Sequence, residues 1–206
     1  MKRRVGILIS GRGSNMAALI AAARHPGCPF EIALVIANDP AAGGLALAAE
    51  AGIATEAIDH RPARGDRAAH EMAIAHRLDA AAVEIVCLAG YMRLLTPLLV
   101  GRYAGRMLNI HPSLLPAFPG LDTHGRAIAA GVRLHGCTVH LVTEAMDEGP
   151  ILAQCAVPVL QSDTETTLGA RVLAQEHLLY PAALAAFAGQ KQAEAPATAR
   201  LANPAA

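Results

Sequence analysis

Short apolar runs alternate with amphipathic segments along most of the chain. The runs at 5–10 and 84–89 are almost continuously apolar, as is typical of strands buried on both faces of a parallel sheet. Segments with helical spacing of apolar residues lie between such runs. The pattern predicts strands at 5–10, 31–37, 55–58, 84–89, 107–110, 137–142 and 151–159, and helices at 16–24, 43–51, 65–78, 124–130 and 164–188, with a short helix from Thr96-Pro97.

Strands that alternate with helices predict an α/β fold. We expect a doubly wound, mostly parallel sheet of about seven strands flanked by helices. The last two predicted strands are separated only by the turn DEGP at 147–150, so we expect them to pair antiparallel. Because no internal repeat or linker divides the sequence, we predict a single domain over residues 1–188. The Ala-, Pro- and Gln-rich residues 189–206 are expected to form a frayed tail.

Composition favours a small-molecule partner held in a pocket. Of the 206 residues, 53% are hydrophobic, which is enough for a sizeable core. Lys+Arg and Asp+Glu are both 17, aromatic residues are 3% and Trp is absent, so neither a basic surface nor base stacking indicates a nucleic acid partner. The apolar run after the N-terminal MKRR is too short for a signal peptide, and no run is long enough to span a membrane. The four scattered Cys residues fit reduced thiols, and we predict a cytoplasmic protein.

The sequence SGRGSN at 10–15 joins the first predicted strand to the first helix. Backbone N–H groups at such a junction can bind an anion, and Ser14 and Asn15 add side-chain donors. A dinucleotide fingerprint would need Gly where Met16 stands, and a P-loop would need Gly-Lys-Ser/Thr. A phosphate monoester site is therefore one interpretation of the turn. The other is a tight turn that uses glycine only for its backbone freedom.

A second candidate site lies in MLNIHPSLLPAFPG at 107–120. Asn109 and His111 are two apart on the predicted strand, so their side chains share one face while that of Ile110 points to the core. An amide can stabilise an oxyanion without titrating, and an imidazole can act as acid, base or protonated donor. Asp147 follows a later strand, and strand ends in such sheets converge on one crevice. Each of these residues also fits a capping or turn role, so only their co-location favours chemistry.

The remaining histidines do not indicate a metal site. His135 and His140 are an odd number of residues apart, so on one regular strand they would face opposite ways. His70 and His76 are six apart, which is not the ligand spacing of a helix. Ser113 lacks the GxSxG context of a serine hydrolase. We therefore predict neither a bound metal nor a serine nucleophile.

Three motifs together carry a family likeness. NIHPSLLPAFPG, with SGRGSN upstream and HGCTVHLVTEAMDEGPIL downstream, closely resembles phosphoribosylglycinamide formyltransferases, the folate-dependent enzymes of purine synthesis. The resemblance runs in order from Val5 to Phe187. The NIHPSLLP segment with a later Asp-x-Gly-Pro is typical of folate-dependent formyltransferases and their deformylase relatives. The early Gly-x-Gly-Ser-Asn is similar to the glycinamide ribonucleotide enzymes in particular.

The resemblance implies the formyltransferase fold and a specific reaction. A formyl group would pass from 10-formyltetrahydrofolate, the cosubstrate, to the amine of glycinamide ribonucleotide, by direct attack and without a metal. The expected partners are these small molecules alone, bound by a monomer or homodimer. The family's motifs map onto catalytic Asn109, His111 and Asp147, onto substrate-binding Gly13, Ser14, Asn15 and Glu176, and onto folate-binding Arg67, Met92, Arg93, Leu94, Leu95 and Asn109.

Related enzymes that use the same transfer core are the alternatives. Formyltetrahydrofolate deformylases usually carry an extra N-terminal domain, and methionyl-tRNA formyltransferases an extra C-terminal domain with a basic surface. The first predicted strand starts close to Met1 and the neutral chain ends soon after the long helix, so we expect neither. A phosphate-ligand binding domain that had lost catalysis would keep SGRGSN, but the presence of Asn109, His111 and Asp147 argues against it.

Overall fold

The computed structural model describes residues 1–63, 65–189 and 198–201. The described chain divides into two compact units, Met1–Asn109 and Ile110–Ala206. Strand β5 crosses from the first unit into the second. In chain order the elements are β1 Arg3–Ile9, α1 Ser14–Ala23, β2 Phe30–Ala37, α2 Gly44–Glu50, β3 Thr55–Ala57, α3 Arg67–Ala80, β4 Ile85–Leu88, α4 Pro97–Arg102, β5 Met107–His111, α5 Thr123–Ala129, β6 Leu134–Leu141, β7 Ile151–Pro158, α6 Glu165–Gly189 and β8 Thr198–Leu201.

The first unit contains a parallel sheet with strand order β3-β2-β1-β4-β5. All of β4 is buried, and so is β1 from Val5 onward, which matches their nearly continuous apolar sequences. Because the strands are parallel, the segments that follow β1, β2 and β4 leave from one edge of this sheet. These segments are residues 10–15, Asn38 and residues 89–96.

The second unit contains the antiparallel pair that the sequence predicts. β6 and β7 run antiparallel, with Cys137 opposite Cys155, and the long helix α6 packs on both strands. The strand β8 pairs parallel with β7. The predicted mixed sheet flanked by helices is thus confirmed, with the seven predicted strands and one short additional strand. The single domain over 1–188 and the frayed tail stay predictions, since residues 190–197 and 202–206 lie outside the described residues.

Several elements begin at other residues than the pattern indicates, and three of these differences concern the site. Helix α1 begins at Ser14 rather than at residue 16, directly after Gly13 in a left-handed conformation. Helix α3 begins at Arg67 because the carboxylate of Asp66 caps it, accepting the N–H of Ala69 at 2.9 Å. Strand β6 begins at Leu134, so both of its histidines lie within the strand. The short helix predicted from Thr96-Pro97 is confirmed as α4, with Thr96 as its N-cap and Pro97 as its first helical residue.

Two further observations concern the described residues only. None of their helices combines the length and the apolar character that crossing a bilayer requires. In the same residues no group of three or more His, Cys, Asp or Glu side chains is arranged to hold a metal ion.

Candidate active site

A left-handed glycine precedes the first helix. Gly13 has φ of 74°, and a Cβ there would lie 3.1 Å from the Cα of Gly44. The Gly44 N–H donates to the carbonyl of Gly11 at 3.0 Å, so helix α2 begins directly against the turn. Ser14 is exposed and Asn15 is buried, and both lie in the first turn of α1. Because the first N–H groups of a helix have no acceptor within it, this turn has the geometry of an anion site.

Ser10, directly after β1, connects this turn to the segment after β4. Its hydroxyl donates to Oδ1 of Asn38 at 2.5 Å and accepts the backbone N–H of Met92 at 2.7 Å. Its own N–H donates to the carbonyl of Gly90 at 3.2 Å. Asn38 is buried at the end of β2. One serine therefore joins the ends of three parallel strands.

The segment 91–95 is held at its far end by a buried carboxylate. Glu71 on α3 is 2% exposed and accepts the N–H and the hydroxyl of Thr96 at 2.6 and 2.5 Å, and the N–H of Leu99 at 3.3 Å. Between the two attachments, the side chains of Met92 and Leu94 are 70% and 60% exposed. The segment thus presents apolar side chains on a backbone that is hydrogen-bonded at both ends.

The other predicted folate residues are less closely connected. Arg93 and Leu95 are half-buried in the same segment, and Arg67 is exposed at the first position of α3. No hydrogen bond or ion pair within the described residues joins Arg67 to residues 91–95. Burial and the nearby Glu71 carboxylate raise the pKa of the Tyr91 hydroxyl.

In the second unit, His111 and Asp147 lie together. Nδ1 of His111 is 3.5 Å from Oδ2 of Asp147, and Nε2 is 3.0 Å from the carbonyl of Phe118. The Asp147 oxygen also accepts the N–H of Gly120 at 2.8 Å. Both ring nitrogens of His111 therefore face hydrogen-bond acceptors. Asn109 lies two residues earlier on β5 and is half-buried.

A second imidazole, that of His140, lies near the other oxygen of the Asp147 carboxylate. Nε2 of His140 is 3.8 Å from Oδ1 of Asp147, and Nδ1 donates to the carbonyl of Leu141 at 3.0 Å. Burial lowers the pKa of His140, and nearby His111 acts in the same direction. The His140 imidazole is therefore neutral at neutral pH. The register between β6 and β7 shifts at His140, where Leu152 is the extra residue on β7.

The proline loop after β5 is fixed by polar residues of β6 and β7. Thr138 accepts the N–H of Leu115 at 3.0 Å and donates to the carbonyl of Ser113 at 2.7 Å. Gln154 donates to the carbonyl of Leu115 at 2.8 Å. The Ser113 hydroxyl is buried and donates to the carbonyl of Ala117 at 2.6 Å, so this serine has a structural role in the loop.

Two further histidines, His124 and His135, form a pair beside Phe118, the residue whose carbonyl lies 3.0 Å from Nε2 of His111. Nδ1 of His124 is 3.2 Å from Nε2 of His135, so at least one of these rings is neutral. The His135 ring packs edge-on against Phe118, with centroids 5.9 Å apart. Burial lowers the pKa of His135 to about 4 and also lowers that of His124. This pair therefore remains uncharged at neutral pH and packs against the residue whose carbonyl binds His111.

Glu176 is buried on α6, at 6% exposure. Its carboxylate lies near the β6 thiol of Cys137, whose pKa is raised by burial and, to a smaller extent, by Glu176. Its predicted role toward the ribonucleotide stays a prediction.

The sequence of this chain matches one family model over almost all of the described residues. The match, to the family described as formyl transferase, covers residues 3–184. This chain belongs to the formyl transferase family. The family expected from the three motifs is thereby confirmed, and the motif-bearing strands and loops all lie within the matched range.

Named relatives of this family member include both short and long proteins. Phosphoribosylglycinamide formyltransferase of Escherichia coli is 44% identical over 182 residues, which are 88% of this chain and 85% of that protein. Trifunctional purine biosynthetic protein adenosine-3 of Bos taurus is 48% identical over 89% of this chain, but the chain spans only 18% of that protein's length. A crystal structure of phosphoribosylglycinamide formyltransferase from Brucella melitensis has a TM-score of 0.88 and 57% identity, covering 95% of this chain and 100% of that one.

Sequence reasoning missed the residues that support the predicted ones. His140 was considered only as a metal ligand and set aside because of its spacing, and its position beside Asp147 follows from the tertiary fold. Ser10 stands in the singled-out SGRGSN motif, but its bond to Met92 spans 82 residues. The third residue of that connection is Asn38. The one signal for it in the sequence was a polar residue directly after an apolar strand.

Proposed function

We propose that this chain transfers the formyl group of 10-formyltetrahydrofolate to the amine of glycinamide ribonucleotide, a step of de novo purine biosynthesis. The observation that carries the proposal is the buried pair of His111 and Asp147, with Asn109 two residues away on β5. The names of the E. coli and B. melitensis relatives support the choice of substrate.

The reaction needs hydrogen-bond donors that stabilise the developing negative charge and a route for one proton. The amine nitrogen attacks the formyl carbon, and the carbonyl oxygen becomes an oxyanion that the Asn109 amide and the His111 imidazolium stabilise. Nε2 of His111 is held by the Phe118 carbonyl. The 3.5 Å gap between Nδ1 and Asp147 exceeds an ordinary charged hydrogen bond and leaves Nδ1–H available to the oxyanion.

Collapse of the tetrahedral intermediate completes the transfer. The bond between the formyl carbon and N10 of the folate breaks, and the proton lost by the amine goes to N10, through Asp147 or a water beside it. Atoms balance: the products are the formylated ribonucleotide and tetrahydrofolate. No covalent enzyme intermediate is required.

We assign the binding roles by unit. In the first unit, Gly13, Ser14 and Asn15 bind the ribonucleotide phosphate. The exposed apolar side chains of segment 91–95 suit the flat ring of the folate. Arg67, Met92, Arg93, Leu94 and Leu95, with Asn109, are the proposed folate residues, and Glu176 of the second unit is a proposed ribonucleotide residue. We further propose a cytoplasmic enzyme, monomeric or homodimeric, that uses no metal and binds neither nucleic acid nor membrane.

The test is release of tetrahydrofolate from 10-formyltetrahydrofolate, measured with and without glycinamide ribonucleotide, alongside the formylated product. We expect turnover only when the amine is present. The His111→Ala variant should fold normally by circular dichroism and lose about 100- to 1000-fold in kcat, the usual cost of removing an oxyanion donor.

Three other results of these measurements would contradict the proposal, each in a different way. Near-normal turnover by His111→Ala would refute the proposed mechanism. Turnover without the amine would identify a formyltetrahydrofolate deformylase. Binding of the ribonucleotide by titration calorimetry with no formylated product would identify a non-catalytic phosphate-ligand binding domain.

A further inference from the structure

The hydroxyl of Ser10 has both of its hydrogen-bonding roles occupied within the first unit. It donates to Asn38 at 2.5 Å and accepts from the N–H of Met92 at 2.7 Å. The donation to Asn38 fixes the rotation of the hydroxyl and points its lone pairs toward Met92. Asn38 is 4% exposed, and its Nδ2 and carbonyl both lie close to Nδ1 of His60, at 3.1 and 2.8 Å. The position of the Met92 backbone therefore depends on where Ser10 stands.

Ser10 is also the first residue of the phosphate turn, the turn at residues 10–15 that is proposed to bind the ribonucleotide phosphate. The turn passes from Ser10 to the left-handed Gly13 in three residues, so a displacement of the turn moves Ser10 as well. The far end of segment 91–95 is attached differently. Glu71 on α3 holds Thr96 there, and no described hydrogen bond links that attachment to the turn.

We propose that Ser10 is a positioning residue that couples the two substrate sites, so that a phosphate bound at 13–15 improves folate binding at 91–95. The proposal rests on the function proposed above and concerns the relation between its two ligands. A bound phosphate narrows the conformations of the turn and therefore of the Ser10 hydroxyl. Segment 91–95 then loses less freedom when the folate binds, which gives positive coupling without a large movement.

The experiment is a binding cycle on the full chain by titration calorimetry. Tetrahydrofolate, the unreactive product, is titrated with and without saturating glycinamide ribonucleotide. In the unmodified protein we expect its Kd to fall at least about five-fold when the ribonucleotide is present, a typical coupling. In Ser10→Ala we expect weaker folate binding and a ratio of the two Kd values close to one. Ser10→Thr, which keeps the hydroxyl, should restore the ratio.

Thr96→Ala is the matched control, because it also removes a hydroxyl that holds segment 91–95. It removes the hydroxyl's bonds to Glu71 and to the Leu98 N–H of α4, and neither bond involves the turn at residues 10–15. We therefore expect it to raise the folate Kd in both titrations by the same factor and to keep the ratio of the unmodified protein. A common loss of order in the segment would instead lower the ratio in both variants.

Asn38→Leu provides a second test, since it removes the acceptor that orients the hydroxyl and leaves Ser10 in place. We expect an intermediate ratio. A ratio in Ser10→Ala equal to that of the unmodified protein would overturn the proposal, and so would a ratio of one in the unmodified protein. Failure of the unmodified protein to bind the ribonucleotide at all would instead refute the proposed function.

Discussion

Two regions of the molecule contain different kinds of polar group. The turn region of the first unit consists of residues 10–15 and Asn38, and the histidine–carboxylate cluster of the second unit consists of His111, His140 and Asp147. The turn region relies on groups that do not titrate near neutrality: the Ser10 hydroxyl, the Asn38 amide and backbone N–H groups. The second cluster contains imidazoles and one carboxylate. There Asp147 lies between His111 and His140, and burial favours the neutral form of His140.

Under the proposed function, the difference separates binding from proton transfer. A turn that binds an anion through backbone N–H groups does so across a wide range of pH, and its accuracy depends on backbone geometry. A desolvated cluster of imidazoles and a carboxylate changes its charge with pH, and its accuracy depends on which group holds a proton. Substitutions in the first region should therefore change KM, and those in the second should change kcat and the pH dependence.

The largest effect is expected from removing one charge in the second region. Asp147→Asn keeps an oxygen that can accept the Gly120 N–H but no longer places a negative charge beside His111. We expect kcat to fall about 1000-fold, within the usual range for a group that moves protons. Steady-state release of tetrahydrofolate measures it.

Asp163→Asn is the matched control for that substitution. Asp163 pairs with Arg171 at 2.7 Å, and this guanidinium lowers the pKa of its carboxyl. The control should lose stability and keep kcat. A kcat for Asp147→Asn within ten-fold of the unmodified enzyme would contradict the distinction between the regions.

A smaller effect is expected from adding one methyl group to a glycine of the first region. A Cβ on Gly44 would lie 2.6 Å from Cδ1 of Ile9 and 3.1 Å from the carbonyl of Gly11, so Gly44→Ala must displace the phosphate turn. We expect the KM for the ribonucleotide to rise about ten-fold, equivalent to about 1.4 kcal/mol of binding, with kcat changed much less. Gly43→Ala is the control, since its Cβ meets nothing within 4 Å and its φ is −60°. Equal KM values for the two variants would show that the turn tolerates displacement.

The smallest effect concerns stability and returns to the second region. The pKa of His135 is lowered to about 4 in the folded protein, below its ordinary 6.5. Between these values the unfolded chain binds more protons than the folded one, so the free energy of unfolding rises with pH and falls on acidification from pH 7 to pH 5. Urea unfolding at both pH values measures this loss, which His135→Gln should reduce.

His25→Gln is the comparison for the stability measurement, because His25 is exposed in the first unit. It should show the same loss between the two pH values as the unmodified protein. A His135→Gln variant with an undiminished loss would mean that the acid sensitivity lies in other groups, among them His124 and His140.

Hydrophobic pattern and turn chemistry were enough to predict most of the fold. Continuous apolar runs predicted the buried strands, and the short DEGP connection predicted the antiparallel pair of β6 and β7. Thr96-Pro97 predicted the start of α4, because this pair has a local capping geometry. Local rules worked less well at helix starts, where Gly13 and Asp66 moved the boundary by two residues.

The candidate site was predictable only in part. The two-residue spacing of Asn109 and His111 is a property of any strand, so the sequence carries it. The approach of Asp147 to His111 was an expectation from sheet topology and from the family likeness, and the two side chains do lie 3.5 Å apart. Their roles in catalysis stay predictions. No local rule indicated that His140 would lie near the same carboxylate, because that approach depends on where the turn after β6 places Asp147.

By itself the sequence determined the order and type of the elements, the family, and the residues that stand at strand ends. These depend on periodicity and on short motifs, which act over a few residues. Only the tertiary structure decided which distant groups lie together: the Ser10 hydroxyl accepts the Met92 N–H, and the Asp147 carboxylate lies beside two imidazoles. The physical reason is that hydrogen bonds and desolvation depend on distances of a few ångströms. Distances of that kind between residues far apart in sequence exist only after the strands have paired.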